Sequence, residues 1–437
     1  MALSVAAIII LTVKLRVHAF LTLIFVSVLM AVALGLPLDG IPKDVIEGFG
    51  GTLGYVGIIT FLATIIGELL VRTGATVVIS ESILKLVGRS RSAIAVGAAG
   101  FLVAPPVACN DTAFLILSPV AAGLGNAAGY STALISLALA AGAYSSFKLI
   151  FPGAPLYAAL IFQANLAEVI LLGLLLAVPV FAVGLAWTRA YSRYVASSSG
   201  RSHSSSGTEL PLIQRERLPS ALGSYATITI PLTLILGRAF AEGYVSNADG
   251  ARTLIDFLGH PVVAMLVGVS LALVLARSWP RHEVSKWVGD GLVRATAIVA
   301  IVGAGGVLGR ILIDADMGNI LGSSIAGIGV SGAAAVFLVA AIIKTAQGSS
   351  VVTMVTAPSI LLPILPMLGV SPTLATLLVS AGAMISVHVN DSYFWVVTGF
   401  SQMSISEGIR SLTAMSVLQG LTAFALIIGI TAVLPGL

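Results

Sequence analysis

The chain has 437 residues, of which 58% are hydrophobic and 9% charged, and its mean hydropathy is +1.07. Soluble globular proteins carry about 25% charged residues, so this composition excludes that class and indicates an integral membrane protein. The net charge of +4 does not indicate a nucleic-acid partner, because the basic residues lie in connections between apolar segments. With one cysteine, Cys109, the chain can form neither a disulfide framework nor a cysteine-based metal cluster, and we expect no cofactor.

Apolar segments follow one another from end to end. Roughly ten of them approach or exceed the length of about 20 residues that a helix needs to cross a bilayer. The first follows Met1 directly but lacks the charged start and the cleavage site of a signal peptide, so we predict a span there. We place spanning or half-spanning helices at about 3–13, 18–36, 52–71, 93–125, 131–164, 167–187, 222–242, 259–276, 292–312, 331–365, 373–400 and 412–435.

Lysine and arginine residues concentrate in five of the connections, near residues 14–16, 72–91, 188–220, 277–294 and 410. Short cytoplasmic loops of membrane proteins are rich in these residues, so we predict that all five connections are cytoplasmic in an inner (plasma) membrane. The connection 188–220 contains SSSGRSHSSSG and is predicted to be a flexible linker. It would join an N-terminal half, 1–187, to a C-terminal half, 221–437.

This orientation requires that two long segments, 131–164 and 373–400, enter the membrane without crossing it. We therefore predict two re-entrant hairpins. The first tip is KLIFPGAP, residues 148–155, and the second tip is HVND, residues 388–391. Non-helical backbone at membrane depth is tolerated only where protein or a water-filled cavity surrounds it, so both tips should line a cavity.

The two halves of the sequence resemble each other. IGELLVRTGATVVISESI at 66–83 aligns with LGRILIDADMGNILGSSI at 308–325, and the alignment places Lys148 opposite His388. In the predicted topology the segment 52–71 runs inward and 292–312 runs outward, so the repeats are inverted. Inverted repeats with interrupted helices are typical of secondary transporters. The predicted fold is thus an all-α polytopic membrane protein of two inverted repeats with broken helices.

Two further interruptions correspond to each other in this alignment. APPVACNDTAF at 104–114, the first break, and KTAQGSSVVTM at 344–354, the second break, place small and polar residues within long apolar segments. Broken helices expose N–H groups that can bind a carboxylate and C=O groups that can bind a cation. We expect both breaks and both tips to converge on one site. The candidate substrate-binding residues are Asn110, Asp111, Thr112, Lys148, Gln347, Gly348, Ser349, Ser350, His388 and Asn390.

Charged candidates have structural alternatives. Lys148 could snorkel or neutralise an internal carboxylate, and Lys344, a possible anion-binding residue, could pair with Asp314 or Asp316. For the polar residues of the second break, the alternative to substrate binding is that they serve only as caps of a broken helix. For coupling to a proton we select His388 and Asp391 as the titratable pair, with Asp111 as the next candidate.

These motifs resemble the gluconate permease family of the ion transporter superfamily over essentially the whole chain. The resemblance lies in KLRVHAFLTLIFVSVLMAVALGLPL at 14–38, GAGGVLGRILIDADMG at 303–318, TAQGSSVVTMVTAP at 345–358 and VHVNDSYFW at 387–395. It implies a proton-coupled importer of sugar acids or other hydroxy monocarboxylates, with a homodimeric, elevator-type architecture in the lipid bilayer.

Two positions depart from the family pattern. The family usually has an arginine where this chain has Lys344, and it often has a Phe-Glu-type pair in the first break, where this chain has Cys109, Asn110 and Asp111. A lysine does not provide the planar bidentate grip of a guanidinium. A hydroxy acid smaller than gluconate, such as lactate, glycerate or 3-hydroxybutyrate, is therefore also a candidate substrate.

Two other functions compete with a carboxylate symporter. The symporter would couple to a proton or to sodium. A sodium/proton antiporter would also need buried acids and broken helices, but the excess of lysine and amides over carboxylates near the site favours an anionic ligand. An intramembrane enzyme is disfavoured, because the sequence has no convincing nucleophile with a base and no metal-ligand spacing such as HExxH.

Overall fold

The computed structural model contains helices and connecting turns, with no strand among the residues that it describes. These residues are 7–8, 10–11, 15–79, 82, 92–105, 110–111, 113–115, 117–118, 121, 130–198, 218–244, 250–315, 331–389 and 391–433. The predicted segment 3–13 and the first break lie partly outside them, as does most of the linker 188–220, and Thr112 and Asn390 lie wholly outside.

The helices of the N-terminal half are α1 (Ala19–Ala33), α2 (Ile41–Arg72), α3 (Ser92–Val103), α4 (Thr132–Leu149), α5 (Pro155–Ile161) and α6 (Leu166–Ser198). The described residues between 110 and 121 are also helical.

The helices of the C-terminal half are α7 (Ala221–Tyr244), α8 (Gly250–Leu258), α9 (Pro261–Leu275), α10 (Arg281–Asp314), α11 (Gly332–Gln347), α12 (Ser350–Leu361), α13 (Pro372–Gly382), α14 (Ser392–Ser401) and α15 (Ala414–Val433). Single turns lie at Ala276–Ser278, Leu362–Ile364, Leu365–Leu368 and Ile405–Gly408, and a π-helical turn, Ile409–Thr413, leads into α15.

Three helices extend past the predicted segments. Helix α2 begins at Ile41 rather than near 52, α10 begins at Arg281 rather than near 292, and α6 continues to Ser198, into the predicted linker. The apolar pattern marks only the part of a helix that contacts lipid or core. Polar turns such as the one containing Pro42 and Asp44 prolong the same helix without adding hydrophobicity.

Six described helices are long and apolar enough to cross a membrane, or seven if the bent pair within α2 counts as one span. The two parts of this pair, Ile41–Gly54 and Gly57–Arg72, are bent by 44°. Helix α4 differs from the other long helices, because 83% of its apolar window is buried inside the protein. It therefore runs through the protein interior rather than along the lipid.

Helices α2 and α10 cross in contact through their glycines. A Cβ atom at Gly48 would lie 2.9 Å from the carbonyl oxygen of Gly306, and one at Gly306 would collide with Thr52 Oγ1 and the carbonyl oxygen of Gly48. Small residues of this kind allow two membrane helices to approach backbone to backbone. The glycine-rich motif at 303–318 thus serves helix packing in this structure.

Ion pairs join α2 and α10 at both ends of the crossing. Glu68 is buried and accepts from Arg72 at 2.8 Å and Arg294 at 2.9 Å. At the other end Arg310 contacts Asp314 at 2.6 Å and Glu47 at 3.6 Å. Glu68 and Arg310 therefore each belong to an ion-pair cluster that links the two helices, tightly at the buried Glu68 and loosely between Arg310 and Glu47.

We expect Gly306→Ala to destabilise the protein, because the added methyl group must displace the backbone of α2. Overpacking of this kind costs about 1–3 kcal/mol. Gly289→Ala is the matched control: Gly289 lies on the same helix, and a Cβ there has no atom within 4 Å. The thermal midpoint of the detergent-solubilised protein should fall for Gly306→Ala and stay equal or rise for Gly289→Ala. Equal midpoints for the two variants would contradict a backbone contact at Gly306.

Candidate functional site

Lys344 and Asp391 form a buried ion pair. The Lys344 Nζ donates to Asp391 Oδ2 at 2.7 Å, and the two side chains are 0% and 8% exposed. The predicted pairing of Lys344 with Asp314 is wrong, because Asp314 lies at the far end of α10 and binds Arg310. Asp316 is outside the described residues. Lys344 is in the last turn of α11, which the fold places against the start of α14.

Asp391 is also the N-cap of α14. Its Oδ1 accepts from the backbone N–H of Tyr393 at 2.9 Å, while its own N–H donates to the carbonyl oxygen of His388 at 2.8 Å. A carboxylate at a helix N-terminus is stabilised by the unpaired N–H groups there. The second tip is thus fixed to α11 by Lys344 and to α14 by the cap.

Lys148 is the other buried lysine. It lies in the last turn of α4, is 0% exposed, and its Nζ has no hydrogen-bond partner among the described residues. The ammonium lies 5.0 Å from the ring centroid of Tyr144 and interacts electrostatically with Lys344, Asp391 and Asp111. Because the side chain does not reach the surface, snorkelling does not account for it.

Tyr144 and Tyr393 connect the elements around these lysines. Their rings stack at 5.8 Å with an interplanar angle of 12°, and Tyr144 donates to the carbonyl oxygen of Met384 at 2.9 Å. The Ser350 side chain lies near the Tyr144 hydroxyl. Tyr393 Oη is buried without a hydrogen-bond partner in the described structure. Helices α4, α12 and α14 therefore meet at these two tyrosines.

The described part of the first break adds an amide and a carboxylate. Asn110 is buried, and its Oδ1 has no hydrogen-bond partner among the described residues. Asp111 is half-buried, lies near the Ser392 side chain, and interacts electrostatically with Lys148 and Asp391. The first break is thus next to the buried lysines, as the sequence predicts.

The second break has a left-handed residue at its centre. Gly348 ends α11 with φ 77°, a conformation that suits glycine. Ser349 Oγ accepts from the Val352 N–H at 3.3 Å and caps α12, so the structure supports the alternative of a capping role for this serine. Gln347 differs, because both polar atoms of its side chain are buried without a partner in the described structure.

His388 and Asp391, the proposed titratable pair, are joined in the described structure through the His388 backbone carbonyl rather than through their side chains. The His388 Nε2 bonds to the carbonyl oxygen of Thr345 at 3.0 Å. The imidazole therefore attaches the second tip to the end of α11. Contacts of the Lys148 side chain in the described structure are with aromatic rings, not with His388.

Comparison with known proteins gives the family. The profile of the GntP family permeases matches residues 1–434. The chain belongs to the GntP permease family. It is 31% identical over 425 residues to a low-affinity gluconate transporter of Escherichia coli K12, with 95% of this chain and 94% of that protein covered. It is 30% identical over 421 residues to a gluconate permease of Pseudomonas aeruginosa, with 95% and 93% covered.

A solved structure has a similar fold. The YdaH transporter of Alcanivorax borkumensis superposes with a TM-score of 0.72 at 14% identity, covering 95% of this chain and 98% of that one. Together with the apolar helices, the family identifies a multi-pass permease of the inner (plasma) membrane. The relatives are named permeases or transporters, which is consistent with a non-enzyme, and the comparisons give no support to the antiporter alternative.

Removing one member of the buried ion pair should destabilise this permease strongly. Lys344→Met leaves Asp391 buried without its cation, and breaking a buried pair costs about 3–5 kcal/mol. The double variant Lys344→Met/Asp391→Asn keeps a capping side chain on α14 and should recover part of the loss. Lys43→Met, which breaks an exposed pair with Glu47, should change stability by no more than about 1 kcal/mol. Chemical or thermal unfolding in detergent measures all three; a double variant no more stable than Lys344→Met would contradict the pairing.

Proposed function

We propose that this permease is a secondary active transporter that imports a small hydroxy monocarboxylate or sugar acid together with a proton. The observation that carries the proposal is Lys148, a buried ammonium with no hydrogen-bond partner among the described residues. An unpaired buried charge is unfavourable unless a ligand compensates it. A carboxylate at the Lys148 Nζ would do so, and gluconate is the substrate named for two of the relatives.

Polar groups in the two breaks match the rest of such a substrate. Asn110 and Gln347 have buried amide atoms without partners in the described structure. Amides both donate and accept, so they suit hydroxyl groups, which also do both. Lys344 is compensated by Asp391, which leaves Lys148 as the cation for one carboxylate. This arrangement favours a monocarboxylate over a dicarboxylate, with gluconate, lactate, glycerate and 3-hydroxybutyrate as the candidates.

Coupling to a proton is proposed to act through Asp391. Protonation of this carboxylate would end its ion pair with Lys344 and leave a second ammonium close to Lys148. The site would then attract an anion more strongly, so proton and substrate would bind together. His388 supports the geometry through Thr345, and Asp111 is the alternative proton carrier.

The proposed architecture is a pair of inverted repeats that carry the two re-entrant hairpins, with the linker 188–220 cytoplasmic. Local features recur in both halves and support it. Ser131 accepts from the Leu134 N–H as Ser371 accepts from the Leu374 N–H, each second member 240 residues after the first (371 − 131 = 240). An elevator-type movement and a homodimer follow from the family resemblance and remain part of the proposal.

The substrate assignment is tested by uptake of labelled gluconate, lactate, glycerate and 3-hydroxybutyrate into proteoliposomes. We expect accumulation of at least one acid when an inward proton gradient is imposed, and no such acceleration by a sodium gradient. Proton movement driven by sodium in the absence of any organic acid would instead indicate the antiporter and overturn the proposal.

Lys148→Met should weaken substrate binding without lowering the stability of the protein. Loss of the ammonium should weaken carboxylate binding by about 2–5 kcal/mol. The same change removes an uncompensated buried charge, so the thermal midpoint should stay equal or rise. Lys286→Met, at an exposed lysine on α10, should leave both unchanged. Calorimetric binding and thermal melting are the two measurements, and unaltered binding by Lys148→Met would place the substrate elsewhere.

Asp391→Asn should uncouple transport from the proton gradient. The asparagine cannot take up the proton but still caps α14, so substrate exchange between the two sides of the membrane should persist in the folded protein, although loss of the ion pair lowers its stability. Its acceleration by an inward proton gradient should disappear. Asp290→Asn, which alters an exposed acid paired with Arg72, is the control and should behave like the unmodified protein. Full gradient-driven accumulation by Asp391→Asn would exclude Asp391 and direct attention to Asp111.

A further inference from the structure

A cavity of about 600 Å³ lies apart from the buried lysines. One wall is the glycine-rich contact face of α2 and α10, and the other is formed by the end of α5 and by α12. None of the predicted site residues that the structure describes lines it. Its polar lining comes from Glu47, Thr52, Gln163, Arg310 and Ser359.

Helix α12 extends from the site to the cavity. Ser350, at the start of α12, reaches Tyr144 beside Lys148, whereas Ser359 lines the cavity. Nine residues of α-helix correspond to about 13 Å along the axis. Helix α5 repeats this arrangement, because it begins at the first tip and ends with Leu160 and Ile161 at the cavity.

The charged residues at the cavity are suited to bind an anion weakly and transiently. Arg310 and Glu47 are the charged residues that line it, and their nitrogen–oxygen distance of 3.6 Å is a loose contact between half-exposed side chains. Exposed pairs of this kind contribute about 0–1 kcal/mol, so an arriving carboxylate can replace Glu47 on Arg310. The tighter bond to Asp314 and the nearby Asp44 keep the anion from being held strongly.

We propose that this cavity is the passage through which the organic anion reaches the buried lysines, with Arg310 as its transient contact. The inference rests on the proposed function, since it needs a carboxylate substrate. At Gly51, in one wall, a Cβ would have no atom within 4 Å, so a side chain there would extend into open space. Thr52, Gln163 and Ser359 offer hydrogen-bonding groups to the hydroxyls of the passing acid.

Two neighbouring glycines of α2 make a matched test. A Cβ at Gly51 or at Gly50 has no atom within 4 Å, so both tolerate a larger residue, but only Gly51 lines the cavity. Gly51→Leu should lose uptake of the acid that the unmodified protein transports, whereas Gly50→Leu should keep it. Binding to solubilised Gly51→Leu at equilibrium should be unchanged, because Lys148 is untouched. Normal uptake, or loss of binding, by Gly51→Leu would overturn the passage.

Chemical labelling distinguishes a passage from a space that is merely needed for movement. The single cysteine of the chain allows a background of Cys109→Ser, into which Gly51→Cys or Gly50→Cys is introduced. The anionic thiol reagent MTSES should modify both, and saturating substrate should slow the reaction only at Gly51→Cys. Absence of protection at that position would overturn the passage. If the unmodified protein neither binds nor transports any hydroxy acid, the proposed function itself has failed.

Discussion

The buried ion pair between Lys344 and Asp391 determines how the interior of this permease is arranged. It joins the end of α11 to the start of α14, and the N-cap and histidine contacts of the second tip are built around the same aspartate. A charge in this environment must be compensated within the protein. Lys148, a few side chains away and without a hydrogen-bond partner in the described structure, is the exception, and for that reason it carries the functional proposal.

The crossing of α2 and α10 is a different kind of constraint. Backbone contact at Gly48 and Gly306, with an ion-pair cluster at each end, fixes these two helices against each other. Helices α5 and α12, which follow the two buried lysines in the chain, meet these two helices across a cavity. A rigid pair beside a separate substrate-binding group is the arrangement that an elevator-type carrier would require, which is why we retain that movement within the proposal.

The sequence predicts the apolar helices, the second break and most of the polar residues that meet at the site, because uncompensated polarity in an apolar segment has few structural explanations. It does not predict the ion pair between Lys344 and Asp391, which are 47 residues apart, because this pair depends on how α11 packs against α14. Tyr144 was overlooked, although its position one helical turn before Lys148 is a usable signal. Helix ends such as Ile41 were misplaced because hydropathy does not register polar turns.

In the ion-pair clusters at the two ends of the crossing, the acidic and the basic residue follow each other in opposite order along α2 and α10. In α2 the acid Glu68 precedes Arg72, which lies in the last turn; in α10 the base Arg310 precedes Asp314, the final residue of the helix. A cation at a helix C-terminus is favourable by about 0.3–1 kcal/mol, whereas an anion there opposes the dipole. We therefore expect the last turn of α10 to fray more readily than the last turn of α2. Its backbone amide hydrogens should exchange with solvent faster.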